Sequence, residues 1–277
     1  MNTNNVSPLR YPGGKTRACK VIDETIQNYF TIESFDHLVS PFLGGGSFEF
    51  YFQNKYKKPL IVNDKFTPLY NFWQQVKNDK VALCERLKTI TNVSKDDFMK
   101  YRKNILELND NMLEQAILYF IINRCSFSGA TLSGGFSEEA SKKRFTESSI
   151  ERINKMNLDN TTIYNLDFEE FLNNHTTERS LIFLDPPYYL ENKKSNLYGN
   201  NGDLHENFNH EKLYQVLISK QQNWIITYNN CEYIRNLYKD YVIIDDDKIN
   251  WSYGMNKSKK SSEIIIISHR ITSHAIV

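Results

Sequence analysis

The stretch Leu181-Ile182-Phe183-Leu184-Asp185-Pro186-Pro187-Tyr188 decides the fold. Four apolar residues in a row, too few for a helix and closed by two prolines, read as a buried strand with a marked end. Further runs of this kind are Leu38-Val39, Leu60-Ile61-Val62, Thr162-Ile163-Tyr164, Trp224-Ile225-Ile226-Thr227, Tyr241-Val242-Ile243-Ile244 and Glu263-Ile264-Ile265-Ile266-Ile267. Segments of helical character lie between them at residues 16–30, 47–53, 148–156, 168–172 and 210–219. Strands alternating with helices predict an α/β fold with a seven-stranded, mostly parallel sheet.

One region breaks the alternation. Residues 68–145 offer no convincing strand. Helical periodicity runs through 69–76, 80–90, 96–106 and 112–122, and a Gly- and Ser-rich stretch at 127–145 then reads as a loop or hairpin. The expected organisation is a core domain of residues 1–67 and 146–277, interrupted by a helical insertion at 68–145. A second irregular stretch, 188–209, is dense in Asn, Gly and Lys. It follows a strand directly, where α/β proteins place mobile functional loops.

The 277 residues carry 34 basic and 33 acidic side chains, a net +1, and 40% are hydrophobic, the profile of a soluble globular chain. No apolar run approaches the roughly 18–20 residues of a membrane span. The polar opening Met1-Asn2-Thr3-Asn4-Asn5 lacks an apolar signal region, so a cytoplasmic location is expected. Cys19, Cys84, Cys125 and Cys231 form no C-x-x-C pair, and the histidines lack zinc-ligand spacing, so reduced thiols and no metal site are expected. The near-zero net charge hides a polarised chain. Residues 1–20 hold four basic and no acidic side chains, 142–155 five against two, and 248–277 five against one. Residues 161–191, around the deciding strand, hold six acidic side chains against one basic. That pattern excludes a non-specific polycation but suits basic flanks framing an acidic pocket.

Four motifs carry chemistry. Asp185 stands at the carboxyl end of a strand, where the ligand crevice of an open sheet lies. Pro186 and Pro187 stiffen the turn and leave their carbonyls free to accept. Tyr188 adds a flat face. An acid, a free carbonyl and an aromatic plate suit a planar ring bearing an amino group. Phe42-Leu43-Gly44-Gly45-Gly46-Ser47 reads either as a tight strand-to-helix turn or as a backbone cradle for a ligand. It is not a dinucleotide fingerprint, because Glu49 stands where the third glycine belongs. Asn63-Asp64 ends a strand, where an acid binds ribose or caps a helix. Arg10-Tyr11-Pro12-Gly13-Gly14-Lys15-Thr16 ends like a phosphate loop, but Leu9 replaces the first glycine and no strand precedes it. Lys15 gains nothing from a helix N-terminus, so it is expected to face a ligand or a carboxylate.

Together these motifs resemble the Dam-type (D12 class, alpha group) DNA adenine N6-methyltransferases. Phe42-x-Gly44-x-Gly46 resembles the family's F-x-G-x-G motif, and Tyr11 through Lys15 its aromatic-x-Gly-Gly-Lys motif. Asp185 through Tyr188 resemble its D-P-P-Y motif. Asn123-Arg124, Phe127-Ser128-Gly129 and Phe136 resemble its Asn-Arg and Gly-x-Phe stretches, and Lys257 through Glu263 its basic-x-Lys-x-x-Glu signature. The resemblance spans about residues 8 to 268 and is weakest between Leu69 and Met112.

The resemblance implies a Rossmann-like S-adenosylmethionine-dependent methyltransferase fold, with the helical insertion reading the DNA target. It implies transfer of a methyl group to N6 of adenine in double-stranded DNA, by direct attack of a flipped base. Asp185, Pro186, Pro187 and Tyr188 would be catalytic. Tyr11, Lys15, Phe42, Gly44, Gly46, Asp64, Asp167, Phe168 and Asp185 would contact the cofactor. Arg124, Phe127, Ser128, Lys142, Lys143, Arg144, Lys257, Lys259 and Lys260 would contact DNA. Relatives often carry Tyr and Asn where this chain has Phe127 and Ser128. A monomer or weak dimer, acting beside a separate restriction endonuclease in a restriction–modification system, is the expected setting. Methylation of RNA or of a protein glutamine amide would use the same acceptor geometry, although such enzymes more often have Asn where Asp185 stands. A catalytically silent nucleic-acid-binding relative is the third alternative.

Overall fold

A computed structural model describes residues 5–271, apart from residues 12, 109, 191–206 and 246–262. The strands are β1 (His37–Ser40), β2 (Leu60–Asn63), β3 (Thr161–Tyr164), β4 (Ser180–Leu184), β5 (Asn223–Asn229), β6 (Tyr241–Ile244) and β7 (Glu263–Arg270). They form one seven-stranded sheet in the order β3-β2-β1-β4-β5-β7-β6. The first five are parallel, and β7 runs antiparallel to both β5 and β6. All seven expected runs are strands of the described chain, and the fold is the Rossmann-like α/β type. The central strands are buried on both faces, which is why they read as unbroken apolar runs.

The helices, numbered along the chain, are α1 (Cys19–Tyr29), α2 (Ser47–Tyr56), α3 (Thr67–Asn78), α4 (Lys80–Lys88), α5 (Lys95–Asn104) and α6 (Met112–Cys125). They continue with α7 (Glu138–Arg144), α8 (Glu147–Lys155), α9 (Phe168–His175), α10 (His210–Ile218) and α11 (Glu232–Leu237). One apolar layer gathers Ile22, Phe48, Phe52, Leu181, Phe183 and Ile225 on one sheet face. The other gathers Phe171, Ile182, Leu213, Trp224 and Ile234 on the opposite face. Helices α3 to α8 fall between β2 and β3, where no strand was expected. Helix α6 is buried from Gln115 to Cys125, so it is the apolar axis of that helical region rather than a surface helix.

One local expectation needs correction. Residues 127–145 are not simply a loop or hairpin. Two 3-10 turns and a single bridge between Ser126 and Phe136 are followed by helix α7. Ser137 caps α7 by accepting from the Ala140 N–H, with Glu138 and Glu139 in the first turn and three basic residues in the last. Helix α11 is too short for its periodicity to register in the sequence. All four cysteines are buried free thiols. Among the described residues, no helix is long and apolar enough to cross a membrane.

Candidate active site

The chain leaves β1 toward β2 on one side and β4 toward β5 on the other, which opens a crevice between the carboxyl ends of β1 and β4. A cavity of about 350 Å³ occupies that crevice. Its walls include Tyr11, Lys15, the segment after β1, Asp64, Phe168 and Asp185.

The glycine segment forms one wall. Gly44 and Gly46 have φ of +49° and +67°, left-handed values that L side chains rarely adopt. A Cβ on Gly44 would lie 2.8 Å from the Tyr11 ring, so the bare backbone lets Tyr11 pack over this turn. Asp64 holds the same turn from β2. Its Oδ2 accepts from Gly44 N–H at 2.9 Å and its Oδ1 from Phe66 N–H at 2.9 Å. Burial pushes the Asp64 carboxyl up to about 6, against the pull of those two bonds. Trp73 Nε1 donates to the Gly44 carbonyl at 3.0 Å.

An aromatic wall stands opposite. Phe42 packs against Phe168 and Phe208, with ring centroids 5.9 and 5.5 Å away. Asp167 caps α9 through its Oδ1, which accepts from Glu169 N–H at 3.1 Å, and its Oδ2 pairs with Lys65 at 2.9 Å. Its expected place beside a cofactor is therefore shared with a capping duty.

The floor is ionic. Lys15 Nζ lies 2.8 Å from Asp185 Oδ1 and 4.0 Å from Glu263 Oε2, and its side chain is only 4% exposed. It also donates to the Gly13 carbonyl at 2.9 Å and sits 5.0 Å from the centre of the Tyr188 ring. Thr227 donates to the same Asp185 Oδ1 at 2.7 Å. Neither bond uses Oδ2. Glu263 and Glu49 complete the floor. Burial pushes Glu263 up to about 7; Lys15 opposes that shift, Asp185 adds to it, and a hydrogen bond from Tyr188 opposes it. Burial pushes Glu49 up to about 8, and its Oε1 accepts from Ser40 Oγ at 2.7 Å. One lysine thus faces three carboxyls in a largely dry site.

The expected DNA-contacting residues divide. Phe127 is 63% exposed, and Ser128 beside it has a φ of 54°. Arg124 is corrected: it is 6% exposed, with its Nε on the Arg144 carbonyl at 2.6 Å and its Nη1 on the Pro8 carbonyl at 3.1 Å. Its guanidinium ties the N-terminal arm to the helical region rather than facing outward. Asn123 does the same work. It accepts from Arg10 N–H at 2.9 Å and donates to the Arg10 and Gly129 carbonyls at 2.5 and 3.3 Å. Lys142 and Lys143 are exposed and paired within α7 to Glu138 and Glu139. Lys257, Lys259 and Lys260 lie outside the described residues.

Sequence reasoning missed Thr227, Phe208 and the ionic roles of Glu49 and Glu263. A threonine within the run Trp224-Ile225-Ile226-Thr227 and an acid opening the run of isoleucines at 264–267 were the available signals.

Comparison with known proteins identifies the family. The family described as D12 class N6 adenine-specific DNA methyltransferase matches residues 11–251. The Type II methyltransferase M.MjaIII of Methanocaldococcus jannaschii is 26% identical over 209 residues, covering 68% of this chain and 70% of its own. The Type II methyltransferase M1.LlaDCHI of Lactococcus lactis subsp. cremoris is 23% identical over 292 aligned positions, covering 97% of each chain.

Proposed function

The chain belongs to the D12 class N6 adenine-specific DNA methyltransferases, and from that premise we propose that it methylates adenine N6 at specific sites in duplex DNA, using S-adenosylmethionine. The observation that carries the reading is the Asp185 carboxylate at the crevice, held on Oδ1 by Lys15 and Thr227.

The residues present fit the cofactor. Glu49 and Asp185 line the cavity beside Lys15, with Glu263 4.0 Å from the lysine; a cationic guest would favour the charged forms of the two glutamates that burial pushes up to about 8 and 7. Phe42, Phe168 and Phe208 offer a wall for an adenine ring, Asp64 stands where a ribose would lie, and the glycine turn leaves its backbone open to the amino-acid part. When bound, S-adenosylmethionine supplies an electrophilic sulfonium methyl.

The chain's own residues do the rest. Asp185 and the Pro186 carbonyl accept the two N6 hydrogens, which frees the nitrogen lone pair from the ring. Lys15, 2.8 Å from Oδ1, holds the Asp185 carboxyl in place for that contact. Tyr188 stacks on the target ring, which must leave the duplex because N6 is sheltered inside the base stack. Catalysis is then positioning and electrostatics, with no covalent enzyme intermediate. Phe127, exposed just beyond α6, would meet DNA. A restriction–modification setting is consistent with relatives named as type II methyltransferases.

Transfer of a radiolabelled methyl group from S-adenosylmethionine to unmodified duplex DNA tests the reading. Label should enter N6-methyladenine, and Asp185→Ala should abolish it. Label in RNA or protein with none in DNA would overturn the proposal, as would full activity in Asp185→Ala.

A further inference from the structure

We infer that strand β5 clamps the turn at residues 185–189 at both ends, through Thr227 and Asn229, and that these two are positioning residues for the reaction. The geometry stands by itself; its consequence for methyl transfer rests on the function proposed above.

The parallel register of β4 and β5 ends with Leu184 opposite Ile226. One step further along each strand come Asp185 and Thr227. Thr227 is fully buried, and its hydroxyl donates to Asp185 Oδ1 at 2.7 Å. Two residues on, the same strand presents Asn229 from the same face. Its Oδ1 accepts from Tyr189 N–H at 3.0 Å and its Nδ2 donates to the Tyr189 carbonyl at 3.0 Å. A side-chain amide that closes both backbone groups of one residue fixes that residue's position and plane.

The turn between these anchors contains two prolines, so little freedom remains inside it. Fixing Asp185 at one end and Tyr189 at the other therefore fixes Pro186 and Tyr188 as well. The Tyr189 ring adds a third hold by stacking on Tyr233 of α11, with centroids 4.2 Å apart and planes 16° apart. Register matters beyond β4, because Asn229 is also the cross-strand partner of Glu263 on β7. Strand β5 thus sits between the catalytic turn and the acid that faces Lys15.

Thr227 should set how well the carboxylate is aimed, which acts on the reaction step rather than on binding. Asn229 should set the backbone of the turn. Three variants of the full chain separate the two. Thr227→Val, nearly isosteric, should lower kcat by about tenfold to a hundredfold, the loss for one hydrogen bond to a charged group, with KM for cofactor and DNA within about twofold. Thr227→Ser restores the hydroxyl and should recover kcat to within about threefold of wild type, given the same hydrogen bond. Asn229→Ala should speed amide hydrogen exchange in the peptide that contains Tyr189, measured on the free protein by mass spectrometry.

Thr227→Val with unchanged kcat in an active enzyme overturns the Thr227 arm and leaves the functional reading intact. Equal losses in Val and Ser also overturn it, because the hydroxyl is then not what counts. Unchanged exchange at Tyr189 in Asn229→Ala overturns the clamp whatever the enzyme does to DNA. A wild-type chain that transfers no methyl group to DNA sinks the functional reading and, with it, the kinetic role of Thr227. The exchange experiment still decides the clamp.

Discussion

Glu49→Gln is the sharpest test of the buried ionic floor. Glu49 is 2% exposed, and its Oε1 accepts from Ser40 Oγ at 2.7 Å. Burial lifts its carboxyl from an ordinary 4.5 to about 8. Between those two pH values the unfolded chain has lost this proton and the folded chain keeps it. Stability from this group is therefore complete below about pH 4.5, falls through the window up to about pH 8, and is flat above it. At about 1.4 kcal/mol per pH unit, the window is worth about 5 kcal/mol. Glutamine keeps an oxygen for Ser40, copies the neutral acid in shape and does not titrate. The variant should match wild type near the acid end of the window and gain on it steadily toward the basic end. For a chain of this size the gain in Tm should approach roughly 10 °C. Thermal melting of both chains across about pH 5 to pH 9 measures it over this window. Parallel Tm curves for the two chains would refute the reasoning, since they would mean that Glu49 is charged in the folded protein at neutral pH. An advantage for glutamine that is largest in acid would refute it too.

Lys15→Met leaves Asp185 and Glu263 facing each other without a cation, and should cost about 2–4 kcal/mol of stability, read as a fall in Tm that is larger at pH 8 than at pH 6, where Glu263 holds its proton more fully. Asn123→Ala strips the Arg10 N–H and carbonyl of their buried partner and should cost about 3 kcal/mol, measured by chemical denaturation. Gly44→Ala puts a methyl 2.8 Å from the Tyr11 ring on a left-handed backbone, and should weaken cofactor binding in calorimetry by at least about tenfold while Tm falls only a few degrees. Binding of S-adenosylmethionine near pH 7 should release protons, because an incoming cation favours the charged forms of Asp64, Glu263 and Glu49, which burial holds up to about 6, 7 and 8. Affinity should then rise with pH through that range. Calorimetry in buffers of different ionisation enthalpy detects the release, and the product S-adenosylhomocysteine, which lacks the sulfonium charge, should show much less of it.

Much of this architecture was legible because its signals are local. A strand buried on both faces must be apolar throughout, and Leu181 to Leu184 stop at an acid and two prolines that cannot continue a sheet. The same reading located β1, β2 and β3 from two or three residues each. It failed where the signal is weak or mixed. Residues 127–145 contain glycines and serines that favour turns, yet Ser137 with two acids after it starts a helix within the same stretch. Arg124 looked like a DNA contact because it lies in the insertion expected to read the target. Whether a guanidinium meets solvent or two backbone carbonyls from other segments is a question of tertiary packing that no spacing rule answers.

The site was legible in its parts and illegible in its wiring, and the reason is the one antiparallel strand at its side. Parallel strands end together, so Phe42, Asp64 and Asp185 could be assigned to one crevice from their places after β1, β2 and β4. Strand β7 runs the other way, so it begins where the parallel strands end. That reversal brings Glu263, near the end of the chain, to the same edge as Asp185 and Thr227. Lys15, from the opposite end of the chain, reaches between them. A buried lysine is tolerable only beside such partners, and burial lifts the neighbouring Glu263 and Glu49 carboxyls to about 7 and 8. The polarity of a single strand thus converts three distant, individually ordinary residues into one coupled ionic floor.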